Sequence, residues 1–210
     1  VYTGGYSTFI LPGDGTMWAT GYNTDGGLGN GGTANLNAPA KVINSGVQAV
    51  APNQQYTMIV KTDGSLWVTG TSYKGALGLG ATTTTKSPLQ VISSGVKSVS
   101  CGLWHAMILK TDGSLWATGD NTNGQLGTGN TTSTTAPVKV VDSGVAAVAC
   151  GSGYTMILKT DGSLWACGLN DLGQFGNGTT STTNSSPIQI FANGISSVYC
   201  GMEGGSHNTM

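Results

Sequence analysis

The heptapeptide KTDGSLW occurs three times, at residues 61–67, 110–116 and 159–165, and a looser PGDGTMW stands at 12–18. In each copy an Asp-Gly pair separates two short apolar runs, such as YTMIV before it and SLW after it. That arrangement is a strong short-range signal for a β-hairpin. Asp63, Asp112 and Asp161 sit where a turn side chain bonds its own backbone, and Gly64, Gly113 and Gly162 supply the left-handed conformation that the turn needs. These aspartates therefore read as turn formers rather than as catalytic acids.

Outward from the heptapeptide the whole chain repeats. Trp18, Trp67, Trp116 and Trp165 keep a step of 49 residues, as do Leu28, Leu77, Leu126 and Phe175; Pro39, Pro88, Pro137 and Pro187 slip by one in the last unit. The units run at about 1–46, 47–95, 96–144 and 145–194, with a partial copy at 195–210. Thirty-five glycines and six prolines leave no stretch without either that exceeds the eleven residues Asn53 to Asp63, which leaves little room for helices. Strands such as MILK and SLWA are apolar on both alternate faces, so each small sheet has to be covered on both sides, and only neighbouring sheets are available to do it. A period of this length with several strands per unit predicts an all-β fold of propeller blades, with Trp67, Trp116 and Trp165 as equivalent anchors between blades.

Composition narrows the function. Charged residues make up 8% of the 210, all eight cationic ones are Lys, and the net charge is −1, so no basic surface is present to neutralise phosphates and nucleic acid is not an expected partner. No apolar run approaches the length of a membrane span, so no membrane insertion is expected.

The units SGVKSVSCGLWHAMILKTDGSLWATGDNTNGQLGTG and SGVAAVACGSGYTMILKTDGSLWACGLNDLGQFGNG closely resemble the regulator of chromosome condensation repeat, with its G-x-N-x-x-G-Q-L-G-x-G loop at 119–129 and 168–178. Weaker copies stand at 21–31 and 70–80. The resemblance spans essentially the whole chain and implies a propeller; members typically have seven blades. It also implies two models of action, a nuclear exchange factor for a small GTPase that binds chromatin, and a secreted β-lactamase inhibitor built from similar repeats. The absent basic surface disfavours the first. Residues 195–210 restart the pattern of 145–156, and residues 1–11 already contain most of the same unit. Such redundant ends predict an excerpt of a longer repeat protein, or a subunit whose ends associate with other repeats or chains.

Little in the chain can carry acid–base chemistry. There are two histidines, His105 and His207, no arginine and one glutamate, Glu203, so no enzymatic activity, metal or cofactor is expected. A lyase or hydrolase of the propeller type would need a His/Glu/metal cluster. His105 takes a position that sister units fill with Ser7, Tyr56 and Tyr154, and the family places a structural His there. Cys101, Cys150 and Cys200 share one repeat position and Cys167 stands alone; they read as small buried residues rather than ligands. The segment NTDGGLGN at 23–30 has the oxygens of a calcium loop, but its sisters lack the acidic ligands. Sequons stand at Asn130, Asn177 and Asn184.

Variation between near-identical units gathers in two places, after the Cys-Gly step (NQQY, LWHA, SGYT, MEGGSHNT) and at the loop start (YNTD, TSYK, DNTN, LNDL). Constant frames with diverse tips suit a scaffold that presents a binding surface. Tyr56, Trp104, His105 and Tyr154 are expected to line one rim, with Tyr22 and Tyr73 on the other variable loop. The expectation is a non-enzymatic module that binds a protein or glycan, displayed extracellularly, on a cell surface or on a virion.

Overall fold

In the computed structural model, which describes Val1–Gly201, the Asp-Gly pair of each heptapeptide copy closes a hairpin of the expected kind. Around Gly64 the Lys61 amide donates to the Ser65 carbonyl at 3.0 Å, the Gly64 amide donates back to the Lys61 carbonyl at 2.9 Å, and Asp63 Oδ1 accepts from the Ser65 amide at 2.8 Å. Gly64 holds φ at +77°, and a Cβ added there would lie 2.9 Å from the Gly95 amide nitrogen, so both conformation and space demand glycine. The hydrogen bonds from Ser65, Ser114 and Ser163 hold the carboxyls of Asp63, Asp112 and Asp161 below the usual carboxylate range.

The hairpins build four antiparallel sheets of four strands, each in chain order. The first blade comprises β1 (Tyr2–Gly4), β2 (Ser7–Ile10), β3 (Met17–Gly21) and β4 (Leu36–Ile43). The second comprises β5 (Val47–Pro52), β6 (Tyr56–Lys61), β7 (Leu66–Gly70) and β8 (Thr85–Ile92). The third comprises β9 (Val96–Cys101), β10 (His105–Lys110), β11 (Leu115–Gly119) and β12 (Thr134–Val141). The fourth comprises β13 (Val145–Cys150), β14 (Tyr154–Lys159), β15 (Leu164–Gly168) and β16 (Ile188–Phe191). The one helical element among the described residues is a 3-10 turn at Tyr73–Gly75, and no helix is long and apolar enough to cross a membrane.

The doubly apolar strands do cover one another across seams. Along β6, Tyr56, Met58 and Val60 pack with Ala106 and Ile108 of the third blade, whereas Ile59 points the other way into a cluster with Phe9 and Met17 of the first. Along β10 the parity repeats: Ile108 faces back toward the second blade, and Met107 and Leu109 face Cys150 and Ile157 of the fourth. The seams are also laced by backbone, since the Val96 amide donates to the Gly64 carbonyl at 2.9 Å and the Val145 amide to that of Gly113 at 3.1 Å.

The tryptophans are seam residues of a particular kind. Trp67, Trp116 and Trp165 each rest one face on the core cluster shared with the preceding blade, but all three are only half-buried. Lysines cover their outer faces: Lys61, Lys110 and Lys159 place Nζ 4.6, 4.7 and 4.3 Å from the ring centroids. The indole N–H of Trp116 donates to Ser114 Oγ at 3.1 Å, which donates in turn to Asp112 Oδ1 at 2.6 Å. KTDGSLW thus encodes one local unit, with Lys over Trp and Asp beneath Ser. At the axis the inner strands line an open cleft of about 620 Å³ that includes Cys101, Cys150 and Cys200.

Candidate binding face

Strand pairing decides which tips meet. Tyr56 pairs with Gly70 and His105 with Gly119, so the turn that enters the second strand of a blade and the loop that leaves its third strand rise from the same edge. The two variable segments therefore share one face. Across the seam between the second and third blades this brings Tyr73 against Trp104, with ring centroids 4.6 Å apart and planes at 60°. Tyr73 is 49% exposed and Trp104 half-buried, which leaves an open aromatic corner.

Lys74 fixes that corner. It is the one described non-glycine residue with positive φ, at +51°, and its Nζ lies 5.9 Å from the Tyr73 ring centroid and 3.0 Å from Asp120 Oδ1. Asp120 is the hub beneath it and also accepts from the Thr122 amide (3.2 Å), Thr122 Oγ1 (3.0 Å), Gln125 Nε2 (3.1 Å) and Ser133 Oγ (3.2 Å). Burial pushes the Asp120 carboxyl up, but Lys74 and Thr122 outweigh it and hold it below the usual range. The loop that carries Tyr73 is braced differently from its sisters. Asn121 holds its loop by accepting from the Leu126 amide at 2.9 Å and donating to Thr128, Asn130 and Thr132, whereas at the same repeat position Ser72 accepts from Leu77 at 3.4 Å and donates to Ala81 at 3.1 Å.

Three expected rim residues are not on the rim. Tyr56, His105 and Tyr154 are fully buried, because each is the first residue of its strand and its side chain follows the strand's parity into the seam. Tyr56 Oη donates toward two carbonyls of the next blade, Gly102 at 2.8 Å and His105 at 2.7 Å. His105 reaches the fourth blade through Nε2, 3.0 Å from Thr155 Oγ1, and burial pushes its imidazole down to about 4. Of the other expected residues, Trp104 and Tyr73 form the corner, and Tyr22 is half-buried in edge contact with the exposed Tyr6, ring centroids 6.4 Å apart. The variable tip at 202–208 lies outside the described residues.

The cysteines are packing residues. No disulfide joins them, and burial pushes Cys150 up to about 12 and Cys101 and Cys167 well above the usual thiol range. Among the described residues no three His, Cys, Asp or Glu side chains gather as a metal-holding group.

Family models for the regulator of chromosome condensation (RCC1) repeat match residues 63–109, 112–158 and 161–205. The chain belongs to the RCC1 repeat family. Each matched repeat starts at the turn aspartate, and the first two end in the second strand of the next blade, so these RCC1 repeats straddle a seam rather than coinciding with a sheet; the third match ends outside the described residues. Human WBSCR16 superposes with a TM-score of 0.82 at 23% identity, over 95% of this chain and 55% of that one. Prp20p from Saccharomyces cerevisiae superposes at 0.78 and 18% identity, over 89% of this chain and 49% of that one. The RCC1 chain thus spans about half the length of these structures. No curated protein sequence matches it.

What the sequence reading missed is the contact between its two variable segments. Tyr73 and Trp104 are 31 positions apart and meet only once the seam is formed. The available signal was charge: Lys74 and Asp120 are 46 apart, one repeat less three, in loops whose sisters carry Asp25, Asn123 and Leu172 at the Lys74 position.

Proposed function

We propose that this chain is a non-catalytic protein-binding segment of a propeller, and that the corner formed by Tyr73 and Trp104, with Lys74 beside it, is its contact surface. The observation that carries the reading is the 4.6 Å ring contact across a seam, at positions where the next seam has Thr122 and Gly153. A rigid frame that builds an exposed aromatic pair across one seam and not across the next favours recognition, because such side chains give large contact area at low entropic cost. Its relatives bear on the partner class: Prp20p is described with binding to Gsp1p and histones, and another structure shows it bound to Kap60. The titratable groups near the corner have structural employment, with Asp120 tied into its loop and His105 buried as the neutral ring, which supports a non-enzymatic role.

The proposed setting is extracellular, on a cell surface or on a virion, in keeping with 8% charged residues and Thr/Asn-rich loops. Asn130 and Asn177, both in sequons, are exposed, and Asn177 Oδ1 accepts from Thr179 Oγ1 at 2.9 Å. A mass decrease on enzymatic deglycosylation of the native protein is the expected outcome if that setting is eukaryotic.

The test of the binding reading pairs capture with stability. Proteins retained by the immobilised chain from its native surroundings are identified, and their affinity is remeasured with Trp104→Ala and Tyr73→Ala. Loss of about 2 kcal/mol of binding with the melting temperature nearly unchanged is expected for a hot spot. A partner that binds both variants as tightly as the parent overturns the assignment, and binding to a glycan array alone replaces protein by glycan.

A further inference from the structure

Among the seams, the one between the third and fourth blades carries a group that titrates near neutrality when solvated. At the position where Tyr56 clamps two carbonyls of the next blade, the third blade has His105. Its ring lies over Gly102, where an added Cβ would collide with Cε1 and Nδ1 and approach the Gly151 carbonyl to 2.8 Å. Nε2 is 3.0 Å from Thr155 Oγ1, and Thr155 gives its one hydroxyl proton to the Gln125 carbonyl at 2.8 Å. Thr155 Oγ1 can therefore only accept, so Nε2 carries the proton and Nδ1 the lone pair. Nδ1 is buried and has no hydrogen-bond partner among the described residues.

We propose that His105 makes this seam a proton-operated joint, which loosens when Nδ1 takes up a proton while the seam clamped by Tyr56 holds. A proton on Nδ1 places a full charge in the seam with no acceptor in hydrogen-bond geometry, a state that buried groups avoid by moving toward water. The surroundings do not supply a counter-charge. Asp120, in the loop after β11, favours the charged ring, but its oxygens already accept from Lys74, Thr122, Gln125 and Ser133. The Tyr154 backbone, on β14, also favours it, and burial outweighs both. Lys74 adds positive charge beyond Asp120, and Cys150 of β13, Cys167 of β15 and the Tyr56 phenol are held neutral by burial.

The direction follows from linkage. The imidazole is held at about 4 when the seam is closed and returns to the ordinary range near 6.5 when it opens. The closed seam is thus fully favoured above about pH 6.5 and loses ground as pH falls through that value toward about 4, where the effect levels off. Because Trp104 immediately precedes His105, and its carbonyl accepts from the Asp120 amide at 2.8 Å, an opening seam also frees the turn that bears Trp104.

Amide hydrogen exchange of the intact chain, corrected for the intrinsic pH dependence of exchange, reads the two seams separately. Peptides covering 151–156 are expected to lose up to about a hundredfold in protection between pH 6.5 and 4, while those covering 53–57 hold theirs. His105→Gln, which keeps a donor for Thr155 and removes the titration, is expected to abolish that difference. Equal loss at both seams, or loss that persists in His105→Gln, overturns the proposal. A His207→Asn chain leaves one imidazole to follow by NMR, so a His105 titration near 6.5 also overturns it, whether or not His105→Gln folds.

Discussion

The seam between the second and third blades and the seam between the third and fourth use the same repeat positions and fill them differently. At the first, the Tyr56 hydroxyl spans to two carbonyls, Thr118 Oγ1 donates to the Gly75 carbonyl at 2.9 Å, and Lys74 pairs with Asp120 above them. At the second, His105 bonds one hydroxyl and leaves Nδ1 unpartnered, Cys167 stands where Thr118 does, with Sγ 3.5 Å from the Gln125 carbonyl, and Asn123 and Leu169 take the places of Lys74 and Asp120. The first seam also buries the larger apolar cluster, since Tyr56, Ala76 and Ala106 belong to it where the second has His105, Gln125 and Thr155. The seams therefore differ in polar satisfaction and in apolar filling, and a near-perfect sequence repeat does not make the joints between repeats equivalent.

The largest expected effect tests whether Tyr56 is the clamp. Tyr56→Ala should cost about 3–5 kcal/mol, as for other buried aromatics cut to alanine. Tyr56→Phe keeps the ring and removes the one hydroxyl proton that the Gly102 and His105 carbonyls share; each carbonyl keeps another donor, the Asn53 side-chain amide and the Gly102 backbone amide, so about 0.5–1.5 kcal/mol is expected. Denaturant unfolding measures both. A Phe variant as stable as the parent would leave the ring alone holding the seam, and the comparison between seams would lose its polar basis.

How much of this was legible depended on the range of each interaction. The turns were, because an Asp side chain bonding two residues ahead and a glycine at positive φ are decided within four residues. The propeller was, because the 49-residue step and the doubly apolar strands leave no other way to cover each sheet. Tyr56, His105 and Tyr154 were misplaced onto the rim because they adjoin the variable tips. Their parity held the correction, since Tyr56, Met58 and Val60 fall on one face of a strand whose alternate residues are apolar. The corner of Tyr73 and Trp104 was beyond reach, since its contact depends on how one blade leans on the next.

A smaller effect, of opposite sign, comes from making the weaker seam like the stronger. In His105→Tyr the phenol should reach the Gly151 and Tyr154 carbonyls as Tyr56 reaches those of Gly102 and His105. A gain of about 1 kcal/mol at pH 7.5 is expected. The imidazole of the parent is pushed down to about 4, so the parent alone loses stability as pH falls below about 6.5, and the gap should widen at pH 5. Unfolding at the two pH values checks the sign. A variant destabilised by about 1–3 kcal/mol at both would mean that the fourth blade has closed around the smaller ring and has no room for the phenol.

The smallest effect concerns Cys167. Thr69 and Thr118, at the same repeat position, place Oγ1 2.9 Å from the carbonyls of Gly26 and Gly75, and the methyl of each fills the space beside Gly29 and Gly78. Cys167 fills that space with sulfur, 3.0 Å from where a Cβ of Gly127 would stand, and its thiol is a weak donor to the Gln125 carbonyl. Cys167→Thr restores a hydroxyl within reach of the Gly124 carbonyl, at the cost of no extra volume the sister seams do not already hold. A gain of about 0.5–1 kcal/mol is expected, and it should add to that of His105→Tyr only in part, because both side chains meet the 124–125 backbone through Thr155 and Gln125. A double-mutant cycle measures the shortfall. Strict additivity would show that the two positions load the seam independently, and that its looseness is spread along the blade rather than centred on the histidine.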